Sequence, residues 1–285
     1  MNLDAGRRDW CRVATGDPTL GYLDAGPRTG EALVLLHSLG TDHRLWHHQI
    51  DALASEYRLI APDSRGHGGS AWAGPLSLRD WVADLRRVLD HAGVDRAVVA
   101  GLSMGGVQAL AFAARHPERV RALVVADSFA ELEPGVAQAK TDGFVRRVST
   151  DGTSAFAEWY VAQTFTTTPL PVGAESVRAA IAAITAEAFI ASTQTCFAAR
   201  LGDEIGAIQV PTLVLWGERD AKTPREASDL IVSRVEGARF GVVREAGHLS
   251  AVENPEEFTR LVADFVAGLG TEERREVNQG DGKQP

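Results

Sequence analysis

The chain of 285 residues, with 45% hydrophobic and 24% charged residues, has the size and composition of one large globular domain. Its formal net charge of −9 argues against a nucleic-acid partner, because phosphate backbones attract basic surfaces. No stretch approaches the roughly 18 uninterrupted apolar residues of a membrane span, and the amino-terminal segment lacks the apolar core of a signal peptide. The sequence therefore predicts a cytoplasmic protein without nucleic-acid or membrane partners.

Apolar runs typical of buried strands alternate with helical periodicity along most of the chain. The strands are predicted at 32–37, 57–62, 96–101, 119–127, 211–217 and 238–243. Helices are predicted at about 43–56, over 76–94, directly after residue 103, from about 224 and over 255–268. This order predicts an α/β fold with a mostly parallel, doubly wound sheet.

The alternation stops between residues 130 and 206, where the sequence is alanine-rich, aromatic and helical in character. We expect 130–206 to form a helical lid over the carboxyl edge of the sheet, where open α/β sheets bind ligands. The core would then comprise 1–129 and 207–270. The polar tail, 271–285, is expected to be disordered.

A serine is the first candidate for chemistry. Ser103 lies between Gly101 and Gly105 in "GLSMGG", after a predicted strand and before a predicted helix. Glycine tolerates the close approach that a sharp strand-to-helix turn requires, and G-x-S-x-G in this setting is typical of a nucleophile elbow. The pattern predicts Ser103 as a nucleophile.

A serine nucleophile needs a base and an acid that orients the base. Of the eight histidines, only His248 follows the last predicted strand, in a loop before a helix. Asp220 follows the strand 211–217 after a glycine turn, which suits a carboxylate that reaches toward a histidine. Asp127, at the end of another predicted strand, is the alternative acid.

An oxyanion hole needs two backbone N–H groups aimed at the developing negative charge. Met104 follows the nucleophile at a helix amino terminus, and Leu39 lies in the loop after the strand 32–37. These two residues are the predicted donors. Ser38, Trp46 and Trp159 are predicted to contact substrate.

The other histidines are expected to be structural. In "DSRGHGGS", the Asp, Arg and His67 are expected to brace the turn after a strand. His43, His47 and His48 include a pair spaced i, i+4, but no carboxylate pattern such as HExxH accompanies them. The cysteines, Cys11 and Cys196, are far apart and are also expected to be structural. We predict neither a metal nor another cofactor.

Five motifs spread over residues 20–268 make the chain resemble the α/β-hydrolases, and more narrowly the 3-oxoadipate enol-lactonases. They are "HSLGTDHRLW", "DSRGHGGS", "GLSMGG", "PTLVLWGERD" and "AGHLSAVENPEEF". The resemblance implies an α/β-hydrolase fold and a triad of Ser103, Asp220 and His248. His37 departs from the pattern, because many of these lactonases carry a small polar residue there, and the segment 130–206 matches only loosely.

The resemblance further implies a small-molecule ester or lactone substrate that is opened through an acyl-enzyme. A substrate carboxylate would need a cation; the candidates are Arg44, Arg146 and Arg200, of which we favour Arg200. A broad carboxylesterase or a carbon–carbon bond hydrolase on the same triad is the alternative. A non-catalytic receptor on the same scaffold is the alternative from another class. The sequence leaves the oligomeric state and the exact substrate open.

Overall fold

The computed structural model describes residues 6–13 and 16–280, with side chains described to residue 269. Eight strands form a single sheet. They are β1 Arg8–Val13, β2 Leu20–Ala25, β3 Ala32–Leu36, β4 Arg58–Pro62, β5 Ala97–Leu102, β6 Val120–Ala126, β7 Thr212–Gly217 and β8 Arg239–Val243. Their order in the sheet is β1-β2-β4-β3-β5-β6-β7-β8.

The six strands from β3 to β8 are parallel, as the alternating pattern predicts. The first two were missed by sequence analysis, which placed no strand before residue 32. β1 pairs antiparallel with β2, and β2 pairs antiparallel with β4. Most of β1 is exposed, so its sequence "RDWCRV" lacks the apolar run that marks the buried strands.

Nine helices surround the sheet in the part of the chain that the structure describes. They are α1 His47–Leu53, α2 Leu78–Ala92, α3 Met104–Arg115, α4 Pro134–Thr164, α5 Ala174–Ala183, α6 Ala186–Phe197, α7 Arg225–Arg234, α8 Ser250–Glu253 and α9 Pro255–Gly280. Helix α9 continues to Gly280, beyond the predicted end at 268. Glutamate and arginine between 271 and 279 favour helix, which explains the extension into the tail that was expected to be disordered. Residues 281–285 lie outside the described part.

The segment between β6 and β7 contains α4, α5 and α6, and α4 packs against each of the other two helices. Gly152 interrupts α4 with φ 79° and ψ 169°, so α4 consists of two helices joined at a kink. No single helix within residues 6–13 and 16–280 is long and apolar enough to cross a membrane. Helices α5 and α6 together reach the required length and composition, but a bend of 108° separates them.

Helices on both faces bury the central strands completely; every residue of β3, β4 and β5 is buried. The parallel strands all end at one edge of the sheet. The loops that follow β3, β5, β6, β7 and β8 therefore meet at that edge, beneath the helices inserted before β7.

Candidate active site

Ser103 occupies the turn between β5 and α3 with φ 56°, a left-handed conformation that is uncommon for residues other than glycine. Neighbouring glycines make this turn possible. A Cβ on Gly101 would lie 2.0 Å from the Gly105 carbonyl oxygen, and a Cβ on Gly105 would lie 2.1 Å from that of Leu36. The turn thus presents a half-buried serine side chain at the carboxyl edge of the sheet.

Three side chains from separate loops form one chain of hydrogen bonds. His248 Nε2 lies 2.9 Å from Ser103 Oγ, and His248 Nδ1 lies 2.9 Å from Asp220 Oδ2. The carboxylate accepts the Nδ1–H, which leaves Nε2 free to accept from the hydroxyl. Asp220 Oδ1 accepts from the backbone N–H of Lys222 at 2.8 Å and of Thr223 at 3.0 Å. Both carboxylate oxygens are therefore fixed.

Asp127, the alternative acid, faces elsewhere. Its carboxylate accepts hydrogen bonds from the Gly217 backbone N–H at 2.7 Å and from the Ser250 hydroxyl at 2.5 Å. Burial, reinforced by the nearby Asp220, raises the pKa of Asp127 well above its usual range. Asp127 thus ties β7 and the start of α8 together and does not hydrogen-bond to His248.

The predicted oxyanion donors lie on two sides of the serine. Leu39 lines the same pocket as Ser103, and Met104 is the first residue of α3. Neither backbone N–H donates a hydrogen bond to any group of the described residues. Both remain available to an incoming oxygen, and the α3 dipole favours negative charge there.

Two buried histidines hold the loop that carries Leu39. His37 contacts the Ser38 carbonyl oxygen through Nδ1 at 2.8 Å and accepts the Ser64 backbone N–H through Nε2 at 2.9 Å. His67 Nε2 accepts the Gly40 backbone N–H at 3.2 Å. Burial lowers the pKa of both histidines, and that of His67 falls to about 3. Both rings are therefore neutral supports of the loop.

A pocket with a cavity volume of about 80 Å³ opens above Ser103. Its apolar wall is formed by Leu39, Phe129, Leu132, Phe144, Tyr160 and Phe197. Its polar groups are supplied by Ser103, Lys140, Lys222, Thr223 and His248. Cys196 also lines the pocket, but burial raises the pKa of its thiol to about 12, so the thiolate nucleophile is suppressed.

Three residues predicted to contact substrate lie outside this lining. Trp46 is fully buried and packs against Phe258, because the first turn after Asp42 directs it into the core. Trp159 lies behind the wall and packs against Phe144 and Phe156. Ser38 is fully buried beside the lining residue Leu39.

None of the arginines proposed for a substrate carboxylate lines the pocket. Arg200 follows the end of α6 and is exposed, and its guanidinium donates to the adjacent Ala199 carbonyl oxygen. Arg44 forms an ion pair with Asp42 at 2.6 Å, and Arg146 is exposed on α4. Arg200, the residue favoured for binding a substrate carboxylate, therefore lies outside the pocket above Ser103.

A possible metal-binding group lies away from the serine. Potential ligand atoms of Asp42, His43 and Asp63 lie within 4.8 Å of one another. Asp63 already accepts from His43 Nδ1 at 2.9 Å, and the Arg44 guanidinium holds Asp42. These contacts account for both carboxylates by ion pairing and hydrogen bonding within the protein.

Sequence analysis missed Lys140 and Lys222, which are 82 positions apart and come together only in the folded chain. One signal was present in the sequence: of its 29 basic residues, only Lys140, Lys222 and Lys283 are lysine. Lys283 lies outside the described residues.

The sequence matches the family model of the α/β-hydrolase fold over residues 31–255, and the chain belongs to this family. The protein is an ester-hydrolysing enzyme. It is 28% identical to 3-oxoadipate enol-lactonase 1 of Acinetobacter baylyi over 257 residues, which cover 88% of this chain and 94% of the relative. It is 30% identical to the pimeloyl-[acyl-carrier protein] methyl ester esterase of Yersinia enterocolitica, with coverages of 84% and 94%.

Among solved structures, the chain resembles the enol-lactonase from Burkholderia xenovorans LB400 with a TM-score of 0.82 and 29% identity. The match covers 91% of this chain and all of that one. The expected α/β-hydrolase fold and the resemblance to enol-lactonases are thus confirmed. These relatives include both a lactonase and an esterase. The comparisons therefore establish ester hydrolysis as the class of reaction but do not identify the substrate.

Proposed function

We propose that this enzyme is a serine hydrolase that opens a lactone through an acyl-enzyme, with 3-oxoadipate enol-lactone or a similar lactone as its substrate. One observation carries the proposal: the hydrogen-bonded chain from Ser103 through His248 to Asp220, with 2.9 Å in each step. The similarity to enol-lactonases in sequence and structure supports the choice of a lactone.

In the proposed mechanism, Ser103 Oγ attacks the lactone carbonyl carbon while His248 Nε2 accepts the hydroxyl proton. Asp220 stabilises the resulting imidazolium. The negative oxygen of the tetrahedral intermediate accepts hydrogen bonds from the backbone N–H groups of Leu39 and Met104.

Collapse of this intermediate breaks the ring C–O bond, and His248 returns its proton to the leaving oxygen. That oxygen stays attached to the acyl group because the substrate is a ring. An enol leaving group becomes a ketone, which makes this step favourable. A water molecule, deprotonated by His248, then hydrolyses the acyl-enzyme and frees Ser103.

A hydrolysis screen tests this function. The purified enzyme is given enol-lactones, saturated γ-lactones and neutral 4-nitrophenyl esters, and a fluorophosphonate probe reports on the serine. We expect labelling of Ser103 and the highest kcat/KM for an enol-lactone. Failure of the probe to label Ser103 would contradict the nucleophile and favour a receptor role.

A broad carboxylesterase is the second candidate. The 30% identity to a methyl ester esterase and the mostly apolar pocket wall favour it. A higher kcat/KM for 4-nitrophenyl acetate than for every lactone in the screen would identify an esterase.

A further inference from the structure

Two lysine side chains line the mostly apolar pocket above Ser103. Lys140 comes from α4 and Lys222 from the loop after β7, and both side chains are half-buried. The chain otherwise uses arginine for its positive charge, with 26 arginines against three lysines. Two of the three lysines therefore line the one pocket that also contains the candidate nucleophile.

The contacts of the two lysines leave their charges unpaired. Lys140 Nζ donates to the Lys222 carbonyl oxygen at 3.0 Å. Lys222 Nζ lies 4.9 Å from the ring centre of Tyr160 and 5.6 Å from that of Trp159, within range of a cation–π interaction. Neither ammonium forms an ion pair with a carboxylate of the described residues.

The nearest acid does not serve them as an ion-pair partner. Asp220 attracts both ammonium groups electrostatically, but its oxygens are held by His248 and by two backbone N–H groups. Burial lowers the pKa of Lys140 and lowers that of Lys222 to about 8, and Lys140 contributes to the latter shift. Burying two like charges together is unfavourable for the free protein, so a bound anion would relieve it.

We propose that Lys140 and Lys222 form an anion-binding subsite that holds a carboxylate of the substrate at the end opposite its scissile ester or lactone bond. Phe129, Leu132 and Phe144 would then contact the hydrocarbon between the two ends. This inference rests on the proposed hydrolysis at Ser103 and adds the residues that would determine its specificity for an acidic substrate. It gives these lysines the role that sequence analysis assigned to Arg200.

A pair of isosteric esters tests the subsite. One is the phenyl monoester of a six-carbon dicarboxylic acid, with a free carboxylate; the other has a carboxamide in place of that carboxylate. Release of phenol gives kcat/KM for each. The wild-type enzyme should prefer the carboxylate, and the double variant Lys140→Met/Lys222→Met should lose about tenfold or more of that preference.

Matched variants distinguish an effect on substrate binding from an effect on folding. Lys140→Arg/Lys222→Arg keeps both charges and should retain most of the preference. Arg147→Met removes a cation whose Cζ lies 4.3 Å from the ring centre of Trp159, on the same helix as Lys140 but outside the pocket lining, and should leave the preference unchanged. Thermal unfolding verifies that each variant is folded. If the double methionine variant does not fold, the two single variants are measured in its place.

Two outcomes would overturn the subsite. One is equal kcat/KM for the two esters in the wild-type enzyme. The other is an equal fall for both esters in the methionine variants, which would mean that the lysines act on Asp220 and His248. Failure of the proposed function is distinguishable, because Ser103 would then escape the fluorophosphonate probe and neither ester would be cleaved.

Discussion

Asp127 and Asp220 follow neighbouring parallel strands, yet only Asp220 hydrogen-bonds to His248. The two carboxylates are close enough for the charge of Asp220 to raise the pKa of Asp127. Their partners separate them: Asp220 orients the histidine ring, whereas Asp127 accepts from Gly217 and Ser250. One acid therefore orients the ring of His248, and the other holds the loops around it together.

This division predicts different losses for the two asparagine variants. Asp220→Asn should lower kcat by a factor on the order of 10² to 10⁴, because the amide no longer holds the histidine in the required tautomer. Asp127→Asn should lower the free energy of unfolding, and its kcat should fall less than that of Asp220→Asn. Steady-state kinetics and urea denaturation measure both effects. Near-wild-type turnover in Asp220→Asn together with abolished turnover in Asp127→Asn would reverse the assignment.

Ser103 and His248 should act as one unit. Ser103→Ala, His248→Ala and the double variant should each lower kcat by a similar factor, on the order of 10⁴ or more, because either loss removes the activated nucleophile. The loss of kcat in each variant is measured with a neutral phenyl ester as substrate. If the double variant loses the product of the two single losses, the residues function independently and the proposed mechanism fails.

The glycines of the elbow should be irreplaceable. In Gly105→Ala, the new methyl group would meet the Leu36 carbonyl oxygen of a central strand, and we expect a loss of at least about 2 kcal/mol in the free energy of unfolding. Gly143→Ala on α4 is the matched control, since nothing lies within 4 Å of its added Cβ. Helix propensity should make that control neutral or slightly stabilising. Denaturant titrations that show equal stabilities for the two variants would refute the steric account.

Buried His67 predicts sensitivity to acid. Its pKa in the folded protein, about 3, lies below the value near 6.5 of an exposed histidine. The unfolded chain therefore binds a proton that the folded chain excludes, so stability is full above about pH 6.5 and falls as the pH drops toward 3. The slope is about 1.4 kcal/mol per pH unit for this one group.

His67→Gln offers both an acceptor for Gly40 and a donor, but does not titrate. Urea denaturation between pH 7.5 and pH 5 measures the free energy of unfolding of both proteins. This free energy should fall less steeply with decreasing pH in His67→Gln than in the wild type, and the difference in slope should correspond to about one bound proton. Parallel curves for the two proteins would show that another group causes the acid sensitivity.

Chelation should leave activity intact. The proposed reaction draws its nucleophile, base and oxyanion donors from the protein, and the cluster of Asp42, His43 and Asp63 is engaged in its own hydrogen bonds. Turnover is compared before and after dialysis against EDTA. Activity that disappears on dialysis and returns with zinc would instead assign a metal to this cluster.

Local patterns were sufficient to predict much of this molecule. Ser103 stands in a compact motif between a strand and a helix, and His248 and Asp220 each follow a predicted strand, so the alternation of elements placed them at one edge. The hairpin of β1 and β2 escaped detection because its first strand is mostly exposed. Trp46 was predicted to contact substrate, but its side chain is buried against Phe258. This contact could not be predicted locally because the two residues are more than 200 positions apart.

The positions of the two lysines also have a practical consequence. Amine-directed reagents, such as aldehyde fixatives, succinimidyl dyes and activated resins, find only three lysine side chains in this protein. Two of them line the pocket that contains Ser103, and Lys222, with its pKa lowered to about 8, is the more reactive at mildly alkaline pH. Amine coupling at these two positions would modify the pocket that contains Ser103, so immobilisation is better directed to an added tag.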